Sequence, residues 1–142
     1  MPHKFRFGVQ TSRAASGDAW REKARKIEDL GYATLFVPDH FDDQFTPTPA
    51  LMAAAEATTT LRVGGMVFDN DYRHPLIFAK EAATIDVLSG GRYELGIGAG
   101  WMKTDYDAAG MTYDRPGVRI DRLRESLTII KGLFSEGPFS FS

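Results

Sequence analysis

The sequence contains no cysteine, which excludes disulfide bonds and thiolate metal ligands. It also contains no apolar run approaching the roughly 20 residues that a membrane-spanning helix requires. No apolar leader segment follows the first residues. We therefore expect a cytoplasmic protein that makes no contact with a membrane.

An excess of charge of one sign is missing as well. Seventeen basic residues face nineteen acidic ones, for a formal net charge of −2, so a nucleic-acid partner, which calls for a basic surface, is not expected. The three histidines, His3, His40 and His74, lack the spacing of metal ligands. The segment 69–71 lacks the glycine and glutamate of a calcium loop. We expect no metal.

What the chain does contain is a regular alternation of strand and helix patterns. It has 142 residues, 43% of them hydrophobic, which favours one globular domain over residues 1–142. Strand patterns begin near residues 5, 34, 61 and 93, about one βα unit apart. The fold class is therefore α/β with four βα units. By itself this rhythm fits either an open doubly wound sheet or half of an eight-unit barrel.

The predicted boundaries follow from apolar periodicity and from glycine and proline. Strands are predicted over residues 5–10, 35–37, 61–68 and 93–98. Helices are predicted over 18–31, with Asp18 as the N-cap, and over 50–57, 75–88 and 117–134. His74 is interpreted as helix entry. Segments 69–73 and 102–116 are predicted to be polar loops, and Arg119 is predicted to lie on the polar face of the last helix.

An Asp-His pair follows the second predicted strand. Pro38 removes a backbone donor and ends the strand, and Asp39 and His40 come next. Ligands of α/β proteins bind at the carboxyl ends of parallel strands, so this pair is a candidate site. A solvated loop in which Asp39 only caps the turn fits the local sequence equally well.

Two glycine-rich segments lie at the ends of the third and fourth predicted strands. Residues 96–101 do not match a dinucleotide fingerprint, because Trp101 stands where the third glycine is needed. We interpret this segment as a place where a flat ligand approaches the backbone, with steric packing as the alternative. In the third strand, Gly64 and Gly65 precede bulky Met66 and Val67. A β-bulge, or a cis peptide bond, is predicted at 65–66 or 66–67.

Three motifs in this order resemble one family. They are Val37-Pro38-Asp39-His40-Phe41, Arg73-His74-Pro75, and the run from Leu88-Ser89-Gly90-Gly91-Arg92 to Gly100-Trp101. Together they resemble the luciferase-like monooxygenase superfamily, and within it the oxidoreductases that use the deazaflavin coenzyme F420. The resemblance covers essentially the whole chain and implies a TIM-like (β/α)8 barrel, of which these four units are the N-terminal half.

The resemblance also implies roles for particular residues. His40 would face the reacting edge of the ring as the catalytic acid or base, a task that suits an imidazole with an ordinary pKa of about 6.5. The other implied cofactor contacts are Asp39, the ring support Gly65, Met66 and Val67, and the opposite side of the ring, Gly98 and Ala99.

The substrate implied by the resemblance is a small organic molecule. Members that oxidise sugar phosphates carry a carboxylate where this chain has Trp101, and a tryptophan where it has Gln44. An apolar or aromatic substrate pocket that includes Trp101 is therefore expected. The implied reaction is hydride transfer between F420 and this substrate, and the alternative is an FMN-dependent monooxygenase.

The length of the chain leaves another interpretation open. Members of the family run to about twice this size, and TIM barrels place phosphate-binding loops after strands seven and eight. A truncated, non-catalytic half-barrel that only assembles is therefore the second alternative. A four-unit sheet has two open edges and one uncovered face. We expect a homodimer or larger homo-oligomer in which the first strand of one copy pairs with the fourth of another.

Overall fold

The computed structural model describes residues 5–141, which form six short strands and five α-helices. The strands are β1 (Gly8–Gln10), β2 (Thr34–Val37), β3 (Arg62–Gly65), β4 (Phe68–Asp69), β5 (Tyr93–Glu94) and β6 (Ile97–Gly98). The helices are α1 (Gly17–Asp29), α2 (Pro47–Ala57), α3 (Pro75–Leu88), α4 (Lys103–Ala109) and α5 (Pro116–Leu133), and a 3-10 turn covers Asn70–Tyr72.

The strands form a parallel sheet in the order β1-β2-β3-β5. Within this sheet the strands lie in their order along the chain, as consecutive βα units do. Beyond a break in the sheet, β4 pairs in parallel with β6. Strand β4 therefore continues β3 after an interruption, and β6 continues β5 in the same way. The predicted α/β class is confirmed, and β1 and β5 are the two edges of the four-stranded sheet.

The apolar core lies between the sheet and the helices. Leu35, Val37 and Val63 point to this side and are fully buried. Trp20 of α1 is also buried, and its indole Nε1 donates to the carbonyl of Ala50 in α2 at 2.8 Å. Alternate residues of each strand meet the helices because side chains of a strand alternate between its two faces.

The opposite face of the sheet carries charge at the amino-terminal end of its strands. Arg62 donates from Nε to the Glu94 carboxylate at 2.7 Å, Arg6 pairs with the same carboxylate, and Thr34 donates to it at 3.2 Å. Burial opposes ionisation of Glu94, yet its hydrogen bonds and charge contacts with the two arginines outweigh burial and lower its pKa. This cluster links three of the four strands.

The third strand is interrupted as predicted. The peptide bond between Met66 and Val67 is cis, which confirms the predicted backbone departure at one of its two positions. The backbone N–H of Met66 donates to the carbonyl of Val37 at 3.1 Å, and that of Phe68 donates to Gly96 at 2.9 Å. The chain therefore bonds to β2 before the cis bond and to the segment between β5 and β6 after it.

Several predicted boundaries were wrong at helix starts and at the first strand. Helix α1 is capped by Ser16, not Asp18, because the Ser16 hydroxyl accepts from the N–H of Ala19 at 3.1 Å. Helix α2 begins at Pro47 rather than residue 50, since proline suits a first helical turn. Strand β1 is shorter than predicted and begins at Gly8.

Two larger predictions about the carboxyl-terminal part were wrong. Segment 102–116 is not a loop throughout, because α4 forms within it and is capped at its carboxyl end by Gly110, whose φ of 66° suits a C-terminal glycine. Arg119 is buried, not solvated. Its guanidinium lies over the ring of Tyr113 at 4.2 Å and donates to the carbonyl of Ala99 at 3.2 Å. Over residues 5–141, no helix is both long and apolar enough to cross a membrane.

Candidate active site

A cavity of about 180 Å³ lies where the carboxyl ends of β2, β3, β4 and β6 meet. Its lining consists of Asp69 at the end of β4 and of residues from three loops: Asp39, His40, Met66, Val67, Gly100 and Trp101. Five of the eight predicted site residues are among them. The other three, Gly65, Gly98 and Ala99, lie beside the lining, and a Cβ at Gly98 would come within 2.6 Å of Val67.

Larger cavities lie elsewhere and contain none of the predicted site residues. One of about 370 Å³ lies between α3, β5 and the end of α5, and another of about 360 Å³ lies between α1 and α2. Both are bounded mainly by apolar side chains, such as Leu95 and Phe134 in the first and Trp20 in the second. The smaller cavity brings an imidazole and two carboxyl groups together, those of His40, Asp39 and Asp69, which is typical of a functional site.

The His40 imidazole is held by a carboxylate from a distant part of the chain. Its Nδ1 lies 2.8 Å from Oδ2 of Asp105 in α4, and the Asp105 side chain is only 6% exposed. The phenol of Tyr72 donates to the same oxygen at 3.3 Å. Because an ionised carboxylate only accepts hydrogen bonds, this contact selects the tautomer with the proton on Nδ1. The other ring nitrogen, Nε2, then carries a lone pair.

Asp39 holds two neighbouring segments together. Its carboxylate accepts from Arg73 at 2.5 Å and from the backbone N–H of Asp69 at 3.0 Å. The Asp39 side chain is 2% exposed, so its charge is compensated by a guanidinium that itself lies against the rings of Phe68 and Phe78. A buried ion pair of this kind fixes the loop that carries His40 relative to β4.

A second acidic group borders the cavity at Asp69. Burial, together with the negative charges of Asp71 and Asp39, raises the pKa of Asp69. The phenol of Tyr106 lies 3.3 Å from both of its carboxylate oxygens and donates to Asp71 at 2.9 Å. Burial and these acidic neighbours raise the pKa of Tyr106 well above its usual range, so it remains a hydrogen-bond donor.

Two exposed aromatic rings belong to segments that line the cavity. Trp101 is 68% exposed and meets the His40 ring edge-on, with ring centroids 5.8 Å apart. Phe41, also exposed, stacks on Tyr72 at 4.5 Å. Exposed aromatic surface beside a cavity is suited to binding a flat apolar molecule.

Sequence reasoning missed Asp105, Asp69 and Arg73 as site residues. Asp105 and Asp69 were assigned to polar loops, and Arg73 was noticed only within a motif. A signal for Asp105 was present, because Lys103 and Asp107 at spacing i, i+4 are typical of an exposed helical turn. Their side chains do form an ion pair, at 2.7 Å.

Comparisons with known proteins agree on one family. The family model of luciferase-like monooxygenases matches residues 2–142. The chain is 34% identical over 122 residues to 4-hydroxyprotoasukamycin monooxygenase of Streptomyces nodosus subsp. asukaensis, covering 82% of this chain and 32% of that protein. It is 30% identical over 128 residues to F420-dependent glucose-6-phosphate dehydrogenase of Amycolatopsis mediterranei, covering 84% and 38%.

A solved structure extends the comparison to the fold. The oxygenating constituent of 3,6-diketocamphane monooxygenase from Pseudomonas putida, in complex with FMN, matches with a TM-score of 0.81 at 23% identity. The match covers 96% of this chain and 41% of that one. The four βα units are therefore part of a TIM-like barrel, and the chain spans about a third to two fifths of the length of these relatives.

Proposed function

This chain belongs to the luciferase-like monooxygenase family. We propose that it carries the residues that transfer the proton in an oxidoreductase site. In the proposed reaction a hydride passes between coenzyme F420 and an organic substrate, and His40 donates or accepts the accompanying proton. The use of F420 by a relative that is 30% identical over most of this chain supports the choice of coenzyme.

The observation that carries this proposal is the position of His40. Its ring lines the cavity, while its Nδ1 is engaged by Asp105 on the far side. Among residues 5–141, no group hydrogen-bonds to Nε2, which leaves this atom to exchange a proton with a bound molecule. A negative Asp105 also stabilises the imidazolium that forms when Nε2 takes up a proton.

The cavity fits one side of a flat ring system. Met66 and Val67 are each 46% exposed and present apolar surface beside the backbone at Gly100. At about 180 Å³ the cavity is smaller than most ligand pockets, so these residues would form one wall of a larger site. We propose that Met66, Val67 and Gly65 support the ring and that Gly98 and Ala99 line its edge. When bound, the coenzyme supplies the redox chemistry.

Asp39 was predicted to contact the coenzyme, and it does line the cavity. Its carboxylate is already paired with Arg73 and with the N–H of Asp69. We therefore propose that Asp39 acts mainly by holding the neighbouring loops in place, and that any contact with the ring is made at the small exposed part of its side chain.

Trp101 favours a substrate with an apolar or aromatic portion. It is exposed at the rim of the cavity, beside the ring of His40. We propose an apolar or aromatic organic substrate for this site.

FMN is the second candidate coenzyme, and an observation supports it. The solved structure that matches this fold holds FMN, and another relative is a monooxygenase. The same wall of Met66 and Val67 would suit a flavin ring. In that case His40 would exchange its proton during oxygenation of the substrate rather than during hydride transfer.

Titration of the purified chain with each coenzyme tests the proposal. Ring binding to this wall is expected to quench the coenzyme fluorescence, with weaker quenching in the variant Val67→Asp. Glu22→Gln on the outer side of α1 is the matched control. A chain that binds one coenzyme and completes a single hydride transfer supports catalysis. A chain that binds neither coenzyme supports the alternative of a half-barrel that only assembles.

A further inference from the structure

Asp69 differs from the neighbouring carboxyl groups because it has no cation beside it. Asp39 is paired with Arg73, and Asp71 is paired with Arg122 at 2.7 Å. Within the part of the chain that the structure describes, no basic side chain forms an ion pair with Asp69. Asp69 is nevertheless only 7% exposed, and burying an ionised carboxylate without a cation is unfavourable.

The hydroxyl group of Tyr106 allows the protons of this cluster to be counted. A phenol has one proton to donate, and the shortest contact of this hydroxyl group, 2.9 Å, is with Oδ2 of Asp71. Both carboxyl oxygens of Asp69 lie 3.3 Å from the same phenol oxygen. If Asp69 were ionised, its lone pairs would face those of the phenol with no proton between them. A proton on Asp69 removes this repulsion, because Asp69 then donates to the phenol oxygen.

The geometry also indicates which oxygen of Asp69 carries the proton. Oδ1 accepts from the backbone N–H of Asp71 at 2.9 Å, so it suits the carbonyl oxygen of a carboxylic acid. Oδ2 lies beside Gly100, since a Cβ at Gly100 would come within 2.5 Å of it. Both Gly100 and Asp69 line the cavity. A proton on Oδ2 is therefore next to the space that a bound molecule would occupy.

We propose that Asp69 is a neutral carboxylic acid at pH 7 and donates a hydrogen bond to an acceptor oxygen of the molecule bound in the cavity. A carboxylic acid that is held neutral in this way can stabilise negative charge that develops on a bound oxygen. An oxygen that approaches closer than the 3.3 Å of the phenol is the better acceptor, so the proton turns towards it. The role rests on the proposed function only in that the bound molecule is a substrate or coenzyme.

The groups that face Asp69 from the surrounding segments favour its neutral form. Burial, followed by the negative charges of Asp71 and Asp39, raises the pKa of Asp69. Hydrogen bonds from the N–H of Asp71 and from Tyr106 oppose this rise only in part. Arg73 lies close by, but it donates to the backbone carbonyl of Asp69, at 3.3 Å, and to the carboxylate of Asp39.

The other titratable groups near this carboxyl group have partners or carry no charge. Arg122 of α5 is committed to Asp71. His40, which lines the same cavity, is engaged by Asp105 through Nδ1. Burial, together with the nearby carboxylates, raises the pKa of Tyr72 well above its usual range, so this phenol remains neutral.

The carboxyl carbon resonances of the purified chain, labelled with carbon-13 aspartate, test the protonation state directly. The variant Asp69→Asn identifies the Asp69 signal, which we expect to be that of a protonated carboxyl group at pH 7. Asp42, whose side chain is 57% exposed, is the internal control and should be ionised. Asp71→Asn should lower the pKa of Asp69, because it removes a negative charge and frees the Tyr106 proton. An Asp69 signal that is ionised at pH 7 would overturn the proposal.

Two aromatic probes distinguish a hydrogen-bond donor from a negative charge in the cavity. Acetophenone offers a carbonyl oxygen, whereas benzylamine is a cation at pH 7. Acetophenone is expected to bind and to move the Asp69 carboxyl resonance, and benzylamine is expected to bind more weakly. Tighter binding of benzylamine, or a resonance that neither probe moves, would overturn the donor role.

Two substitutions of Asp69 test the donor role without the resonance. Asp69→Asn keeps a donor, whereas Asp69→Leu does not, so acetophenone affinity should fall about tenfold in the leucine variant relative to the asparagine variant. Asp42→Asn should bind acetophenone as the parent chain does, and circular dichroism checks that each variant is folded. Equal affinities of folded Asp69→Asn and Asp69→Leu would contradict the proposal.

Titration with F420 and FMN separates this inference from the proposed function. A chain that binds neither coenzyme, but whose Asp69 resonance moves with acetophenone, contradicts the proposed function and supports the neutral Asp69. A resonance that moves with a coenzyme as well supports the donor role and identifies the coenzyme ring as a source of the acceptor oxygen.

Discussion

Asp105 holds the imidazole of His40 at 2.8 Å although 65 residues separate them in the chain. His40 follows β2 and Asp105 lies in the first turn of α4, so the contact joins the second and fourth βα units. A carboxylate in this position fixes both the tautomer and the orientation of the ring, as the aspartate of a Ser-His-Asp triad does.

Replacing Asp105 with Asn is expected to change the His40 tautomer. The amide can donate as well as accept, so the preference for a proton on Nδ1 is lost. Nitrogen chemical shifts of the imidazole in the purified chain measure the tautomer directly. Asp107→Asn, on the exposed side of the same helix, is the control and should leave these shifts unchanged. An unchanged His40 spectrum in Asp105→Asn would remove Asp105 from the proposed site.

His40→Ala should leave the fold and coenzyme affinity nearly intact. In a complete barrel its turnover should fall by about 10²–10⁴, the range usual for general acid–base catalysis. The control is His74→Asn, since His74 lies at the exposed start of α3, where its ring accepts from the N–H of Leu76 at 3.2 Å. Unchanged turnover in His40→Ala would exclude it from proton transfer.

Gly100→Ala should destabilise the site. Gly100 has a φ of +75°, and a Cβ there would lie 1.9 Å from the Tyr106 hydroxyl and 2.5 Å from an Asp69 oxygen. We expect a loss of about 2 kcal/mol or more in the free energy of unfolding. Gly117→Ala, where a Cβ meets no atom within 4 Å, should be neutral or slightly stabilising. Denaturant titration of both variants compares them, and equal stabilities would contradict the prediction.

Glu28 should make stability depend on pH in the acid range. Burial opposes its ionisation, but hydrogen bonds from the backbone N–H groups of Thr60, Leu61 and Thr59 outweigh burial and hold the pKa of Glu28 at about 2, below its ordinary value of 4.5. A lowered pKa in the folded state means that the stabilisation is complete above pH 4.5 and is lost as pH falls towards 2.

Glu28→Gln tests this dependence. At pH 7 the variant should be less stable than the parent by about 1.5–3 kcal/mol, the range for hydrogen bonds to a charged group. The difference should shrink between pH 4.5 and 2. Glu22→Gln, at an exposed position of the same helix, should show no such dependence. A difference between Glu28→Gln and the parent that is constant from pH 7 to pH 2 would contradict the assignment.

The two open edges of the sheet predict assembly between copies of the chain. Pairing of β1 with β5 of another copy would remove both edges. Light scattering of the purified chain at micromolar concentration should therefore give about twice the 15.7 kDa of the chain. A stable, folded monomer would show that the edges do not pair.

Much of the architecture followed from local patterns in the sequence. Apolar strands at intervals of about 30 residues predicted the parallel βα order, since a buried strand and an amphipathic helix each have their own period. The break at Met66–Val67 was also predictable, because paired glycines precede two bulky residues. Three of the four predicted strands, all but the second, were too long because pairing, and not composition, decides where a ladder ends.

The sequence by itself therefore determined that Asp39 and His40 follow a buried strand, where the fold places ligands. Only the tertiary structure decided what each of them contacts. Asp39 meets Arg73, and His40 meets Asp105, across segments that are separated by 34 and 65 residues. Local propensities cannot specify such pairs, because their distances depend on how the ends of three strands and the start of α4 are arranged around the core.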